Sequence, residues 1–221
     1  MPKPYYETEL GKLYHGDCLE IMPMLEPVDL VLTDPPYGMQ YHSGYYKYGN
    51  PHKKIEGDER FPAELIATFK MMAQKAVFCF CRWDNLNEVE KPKSFIVWVK
   101  NNWSAGDLKN ACGRMWEGIL FYPLENHKFK RRMPDVIDFK RIPPTEIYHP
   151  TQKPVLLIDW LLAHTTEKND MILDPFIGSG TTAVACERLN RRWIGIEIEE
   201  RYCEIAAKRI EKENQQLKLF V

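Results

Sequence analysis

The chain has 221 residues, 44% of them hydrophobic and 28% charged, with a formal net charge of −1. These values describe an ordinary soluble domain large enough for a sizeable core. No stretch approaches the ~20 apolar residues of a membrane helix, and the opening "MPKPYYETEL" lacks the apolar core of a signal peptide, so neither a membrane helix nor a secretory signal is expected.

The first probable strand is "KLYHG" (12–16), with Asp17 directly behind it, beside Cys18. The second is "VDLVLT" (28–33), and it runs into "TDPPYG" (33–38). An acid followed by two prolines and an aromatic is a stiff turn with few backbone donors. Read alone, it is evenly balanced between a strand-to-loop turn with an Asx cap and a site. Residues 38–60 carry four tyrosines with glycines and cations but no apolar period. Long irregular segments are functional or disordered, and aromatics interleaved with cations suit base stacking and phosphate pairing.

A helix is predicted over 62–74, then strands "AVFCFC" (76–81), "SFIVWV" (94–99) and "EGILFY" (117–122). The spacing of Cys79 and Cys81 puts both on one strand face. They, Cys18, Cys112, Cys186 and Cys203 form no C-x-x-C pair and no zinc spacing, so reduced cysteines used as small hydrophobes are expected, with no metal and an intracellular, cytoplasmic setting. Residues 101–115 and 123–152 are polar, basic and proline-spotted. Between 91 and 153 there are twelve Lys/Arg against six Asp/Glu, a local +6 in a chain of net −1, densest at "HKFKRR" (127–132). Basic charge confined to one segment of an otherwise acidic chain fits a polyanion-facing surface.

The last third alternates helix 154–165, strand "MILD" (171–174), helix 179–190, strand "RWIGIEI" (192–198) and helix 199–216, the last with a stripe of Tyr202, Ile205, Ala206 and Ile210 under a charged face. Strands alternating with helices predict an α/β fold with a mainly parallel twisted sheet and helices on both faces. Asp17, Asp34, Asp174 and Glu197 each directly follow an apolar run, so they fall along the carboxyl edge of such a sheet, where open α/β folds bind ligands. Any one of them suits a helix N-cap; four together favour a site. In "LDPFIGSGTT" (173–182), Gly178 and Gly180 allow close backbone approach before a helix start. Glu197 lies near the ~20-residue spacing at which an acid takes ribose hydroxyls. The G-x-G-x-x-G of a pyrophosphate site is missing, which argues against NAD.

With "TDPPYG", "HPTQKP" (149–154) and "LDPFIGSGTT" in that order, the chain resembles the β-class of S-adenosylmethionine-dependent amino-group DNA methyltransferases, over about residues 11–210. "FIVWVKNN", "EGILF" and "GIEIEERYCEIAAKRI" add to the resemblance. It implies a single Rossmann-like methyltransferase domain over 1–221 with circularly permuted motif order. Adenine-N6 is the favoured target, since cytosine-N4 members more often carry serine at the first position of DPPY. The resemblance assigns Asp34, Pro35, Pro36 and Tyr37 to catalysis. Asp174, Phe176, Gly178, Gly180 and Thr181 would form the S-adenosyl-L-methionine pocket, Glu197 would bind its ribose and Asp17 its adenine. Lys153 or Thr151 would meet the methionine carboxylate, although Lys153 equally suits a DNA phosphate, and His149 would be structural. Partners implied are double-stranded DNA, in the setting of restriction–modification, and a homodimer of the kind β-class members often form.

The chemistry agrees with that assignment. An exocyclic amino nitrogen is a poor nucleophile because its lone pair is delocalised. Acceptors at Asp34 and at the Pro35 carbonyl would draw it towards tetrahedral geometry, and a hydrogen bond to a charged group is worth roughly 1.5–3 kcal/mol. Alignment for in-line transfer contributes up to ~7–11 kcal/mol, so positioning should outweigh acid–base chemistry. Tyr37 offers a stacking face for a base that has left the duplex. There being no separate recognition domain, DNA contacts would fall to 38–60, 101–115 and 123–148. Arg114, Lys130, Arg131 and Arg132 are the candidates there, for phosphate or base edges. The rival readings are a cytosine-N4 enzyme, an RNA-directed enzyme and a non-catalytic DNA- or cofactor-binding module.

Overall fold

In a computed structural model, the residues described are 2–38, 60–100, 112–125, 129, 131–143, 148 and 152–218. Most of the tyrosine-rich segment, residues 101–111, Lys130, His149 and Thr151 lie outside them.

The elements in chain order are β1 (Tyr6–Glu7), β2 (Gly11–His15), α1 (Cys18–Ile21), β3 (Val28–Thr33), α2 (Leu65–Met72), β4 (Ala73–Cys81), β5 (Ser94–Val99), β6 (Trp116–Pro123), β7 (Val136–Asp138), α3 (Val155–Thr165), β8 (Met171–Asp174), α4 (Thr181–Leu189), β9 (Arg192–Glu197) and α5 (Glu200–Lys218). The described strands make one sheet in the order β1-β2-β9-β8-β3-β4-β6-β5-β7. From β2 through β9, β8 and β3 to β4 every pairing is parallel. β6 runs antiparallel between β4 and β5.

Alternation along the central strands sorts the core into two faces, as period-2 geometry requires. Leu30 and Leu32 of β3 and Phe78 and Phe80 of β4 pack with residues of α3, α4 and α5, including Leu161, Ala183 and Ile210. Val31, Val77, Cys79 and Cys81 pack on the other face with Ile21 of α1 and Phe69 of α2. Cys79 and Cys81 therefore share a face as their spacing requires, and all six cysteines are free thiols.

The predicted strands fall within a few residues of the observed ones. The helix expected over 62–74 spans only Leu65–Met72, because Ala73 turns to extended backbone and pairs with Val28. Sheet pairing there overrides a run of good helix formers. β1 and β7, of two and three residues, are too short to leave a periodic signal.

Candidate active site

β8 and β3 are neighbours in the sheet, yet the chain leaves them in opposite directions. From β3 it passes to α2 on one face; from β8 it passes to α4 on the other. Such a reversal opens a crevice at the carboxyl ends of the strands, where α/β sheets take ligands. Thr33 Oγ1 donates to Asp174 Oδ1 at 3.0 Å across this seam. Asp174 also accepts from Thr182 Oγ1 at 2.6 Å and from the Phe176 amide at 3.1 Å. It is buried, and burial pushes its carboxyl up to about 6 against those three donors. Asp174 thus ties strand, turn and helix together.

In the turn after β8, Gly178 and Gly180 have φ of 52° and 83°. Gly180 is the N-cap of α4, and a Cβ there would stand 2.9 Å from the Ala206 Cβ. Only glycine allows both the left-handed backbone and this approach of α5. Glu197, at the end of β9, accepts the Gly178 amide at 3.0 Å on one oxygen and the Glu199 amide at 2.8 Å on the other. Each oxygen keeps a second lone pair, so a vicinal diol could donate to both. Burial pushes this carboxyl up to about 7, the two backbone hydrogen bonds opposing. Phe176 is half-buried beside the turn, and Thr181 is buried within reach of Arg209. Arg209 donates to Ser179 Oγ at 2.7 Å and lies over the Tyr148 ring. Asp17, half-buried at the end of β2, caps α1 by accepting the Leu19 amide at 2.8 Å. With glycines for close approach, a diol acceptor, an aromatic face and buried carboxyls, the crevice suits a nucleoside that carries positive charge.

On the β3 side of the seam, the Asp34 side chain is 17% exposed and the Lys153 side chain 6%. Tyr37 Oη donates to Asp34 Oδ1 at 2.6 Å, and the Lys153 ammonium donates to Oδ2. Lys153 Nζ also stands 3.2 Å from Tyr37 Oη and 3.3 Å from Glu117 Oε2, with the Phe80 ring 5.0 Å below it. Glu117 Oε1 accepts from Lys100. Burial raises Asp34, and Lys153 only partly offsets it. Burial would also raise Glu117, but Lys153 and Lys100 together hold it down at about 2. Burial opposes the charge on Lys153, yet Asp34 and Glu117 outweigh it and keep the ammonium above its ordinary value. Lys153 therefore holds a proton and does not take one up. Asn85, from the short 3-10 turn Trp83–Asn87, donates to the Tyr37 carbonyl at 3.3 Å and steadies the DPPY turn. Pro35 is buried and Pro36 half-buried in that turn.

The structure sets several of the expected site residues among partners of the chain itself or away from the crevice. Lys153, expected on a methionine carboxylate or a DNA phosphate, lies on Asp34 and Glu117, because two buried carboxylates recruit the nearest cation. Its neighbour Gln152 reaches the other half of the crevice, accepting from Ser179 Oγ at 3.4 Å. Asp174, expected to form part of the cofactor pocket, accepts from three donors of its own chain at the seam. Arg131 and Arg132 are exposed, but their segment leaves from the wrong end of the sheet: the Leu124 amide bonds the Lys75 carbonyl at 2.8 Å, where β4 begins. With ~3.3 Å per residue, that is on the order of 20 Å along β6 from Glu117. Arg114, just before β6, is at the site's edge, and so are Lys140 and Arg141 behind β7. Tyr37, expected to stack on a base, also has its hydroxyl committed to Asp34. Glu117 and Lys100 carried no predicted role. Their signal was a charge set inside or directly behind an apolar strand, in "WEGILFY" and "VWVK".

Residues 28–208 match the family model described as DNA methylase, of the N6/N4 type. Among curated relatives, the type II methyltransferase M2.LlaDCHI of Lactococcus lactis subsp. cremoris is 28% identical, covering 96% of this chain and 93% of that protein. M2.DpnII of Streptococcus pneumoniae is 29% identical over 97% and 95% respectively. Among solved structures, the M1.HpyAVI–SAM complex superposes with a TM-score of 0.69 at 26% identity, covering 91% of this chain and 99% of that one. The cytosine-N4-specific PvuII DNA methyltransferase shares the fold, with a TM-score of 0.70 at 19% identity over 96% and 93% of the two chains.

Proposed function

We propose, from the premise that this chain belongs to the N6/N4 DNA methylase family, that it methylates the exocyclic N6 amino group of adenine in double-stranded DNA, with S-adenosylmethionine as donor. The observation that carries the proposal is the seam itself. A carboxylate held by Tyr37 and Lys153 stands at the end of β3, and a glycine turn gripped by Glu197 stands beside the end of the adjacent β8.

The residues fit the donor. Glu197 would take its ribose hydroxyls on the lone pairs left by Gly178 and Glu199, Phe176 would cover its adenine with Asp17 at the rim, and Gly178, Gly180 and Thr181 would let it lie close to the backbone. The chemistry that S-adenosylmethionine supplies is an electrophilic methyl on a sulfonium, which leaves as a neutral thioether. Asp34 would accept one hydrogen of the target amino group and the Pro35 carbonyl the other, turning the nitrogen lone pair towards that methyl. The two prolines fix the backbone that aims both acceptors. As the nitrogen gains its methyl it sheds a proton, and Asp34 is the carboxylate placed to receive it.

The reading comprises one catalytic domain, with the segments around 38–60 and 101–115 meeting DNA, and an intracellular location. Arg114, Lys140 and Arg141 would line the DNA side of the crevice. The test is transfer of a labelled methyl to unmethylated DNA, followed by nucleoside analysis. N6-methyladenine is the expected product. N4-methylcytosine would move the target to cytosine, methyl in RNA alone would select an RNA-directed enzyme, and no transfer with intact DNA binding would leave a non-catalytic module.

A further inference from the structure

Both oxygens of Asp34 are occupied by groups of the protein: Oδ1 by the Tyr37 hydroxyl and Oδ2 by the Lys153 ammonium. Each oxygen keeps a second lone pair, but a target amino group drawing on one of them competes with its present occupant, and the occupant able to yield is the one with another acceptor in reach. Tyr37 is a neutral phenol whose ring packs against both core clusters, and its carbonyl is held by Asn85. Lys153 is an ammonium at the end of a flexible stem, and a second acceptor is already within its reach. Glu117 Oε2 is buried and takes no hydrogen bond from the described residues, although Lys153 Nζ stands only 3.3 Å away. The other oxygen of Glu117 is fixed by Lys100, which anchors the carboxylate without closing Oε2.

We infer that Lys153 is a two-position positioning residue: in the base-free enzyme it holds Asp34 Oδ2, and it shifts onto Glu117 Oε2 when the target amino group takes that oxygen. The inference rests on the methyltransferase reading above. A buried carboxylate with no donor is costly, and so is a buried ammonium with no acceptor. A lysine shared between two carboxylates avoids both costs. In each position the four charges of Asp34, Glu117, Lys100 and Lys153 sum to zero. With Lys153 on Glu117, Asp34 faces the amino nitrogen as an anion just when positive charge develops there. With Lys153 on Asp34, the acceptor has a counter-charge and is aimed while it waits. The ammonium in effect stands in for the amino group it will yield to.

The groups facing Asp34 are Tyr37 on its own loop, Lys153 before α3, Glu117 on β6, Cys79 and Cys81 on β4, and Asp174 on β8. Of the two charged groups nearest it, Lys153 lowers its affinity for a proton and Glu117 raises it. Lys153→Met and Glu117→Gln should therefore move Asp34 in opposite directions, and the KM for DNA in Glu117→Gln then tests the shift itself, which static placement of the two charges would leave unmoved.

The experiment is a carbon-13 NMR titration of aspartate-labelled protein, with Asp34 assigned by an Asp34→Asn variant, alongside the pH dependence of single-turnover methylation of unmethylated bacterial DNA. Lys153→Met should raise the Asp34 midpoint and the acid limb of the rate profile by at least about one pH unit. Glu117→Gln should lower both and raise KM for DNA several-fold, since the displaced ammonium has lost its anionic acceptor. Midpoints unchanged in both variants, or an unchanged KM for DNA in Glu117→Gln, would overturn the inference. If Lys153→Met fails to fold, Glu117→Gln decides alone, because its amide oxygen still accepts from Lys100. The NMR arm also keeps the two readings apart. Opposite midpoint shifts in a protein that methylates nothing would sink the methyltransferase reading and leave the charge relation standing.

Discussion

The Thr33 hydroxyl reaches Asp174 at 3.0 Å across residues separated by 141 positions, and it is the one side-chain hydrogen bond described between the carboxyl ends of β3 and β8. Thr33→Val keeps the shape and removes the donor, leaving the buried Asp174 with two of its three. A loss of about 1–3 kcal/mol in stability is expected. Urea denaturation measures it. A change within 0.3 kcal/mol, roughly the noise of such a comparison, would mean that this hydrogen bond adds nothing to the seam.

Asp34→Ala removes the acceptor and leaves Lys153 with Glu117 3.3 Å away. Methyl transfer should fall by at least about 10²-fold. Binding of S-adenosylmethionine, measured calorimetrically, should stay within a few-fold, because nothing in the Asp174–Glu197 half touches Asp34 by hydrogen bond among the described residues.

Glu197 sets a pH dependence. Burial raises its carboxyl from the ordinary 4.5 to about 7 in the fold. A raised acid contributes stability that is complete below its unfolded value and lost as pH rises through the folded one, so this residue weakens the fold between about pH 4.5 and 7. Ligand hydroxyls donate to the ionised form, so binding has the opposite sign. Affinity for S-adenosylmethionine should drop as pH falls below about 7, by up to about tenfold per unit. Glu197→Gln should bind weakly and lose that slope. A slope that persists in the variant would place the titrating group elsewhere.

Gly180→Ala introduces two faults, a left-handed φ of 83° and a Cβ 2.9 Å from Ala206. The backbone alone costs roughly 1–2 kcal/mol. Adding Ala206→Gly should recover only part of the steric share, since the Ala206 Cα would still stand 3.1 Å away and a glycine inside α5 costs about 1 kcal/mol of its own, so thermal melting should place the double variant well below the parent.

The DNA-facing charges can be mapped by salt. Arg114→Ala and Arg141→Ala should each reduce the magnitude of the log K against log[salt] slope by about 0.9. Arg131→Ala and Arg132→Ala should leave it nearly flat relative to the parent. The reverse result would put DNA on the β4 amino end of the sheet.

Much of this was legible from the chain, for identifiable reasons. "VDLVLT" and "MILD" begin and end where periodicity and flanking acids place them, since central parallel strands are apolar on both faces. The four strand-end acids converge as the parallel topology demands. Asp34 and Glu197 stood out only as members of a set, because any single carboxylate behind a strand also suits a helix N-cap, as Asp17 does. Lys153 was legible as special but not as to its partner. Its contact with Asp34 spans 119 positions and depends on where the chain returns after β7, which no local pattern encodes. Glu117 was hidden because one charge in "WEGILFY" reads as an outward-facing residue on an ordinary strand. Arg131 and Arg132 stood out by charge density alone, which carries no information about which end of a sheet a loop leaves from.

The long separation of Thr33 from Asp174 also bears on how the molecule is born. The half that would grip the base leaves the ribosome first, and the half that would grip the donor emerges only after some 140 further residues have been made. Contacts of such range form late in folding. A chain that ends before residue 174 therefore carries the Asp34 turn without its tie to Asp174, and the two halves stand together only once β8 and then β9 have joined the sheet.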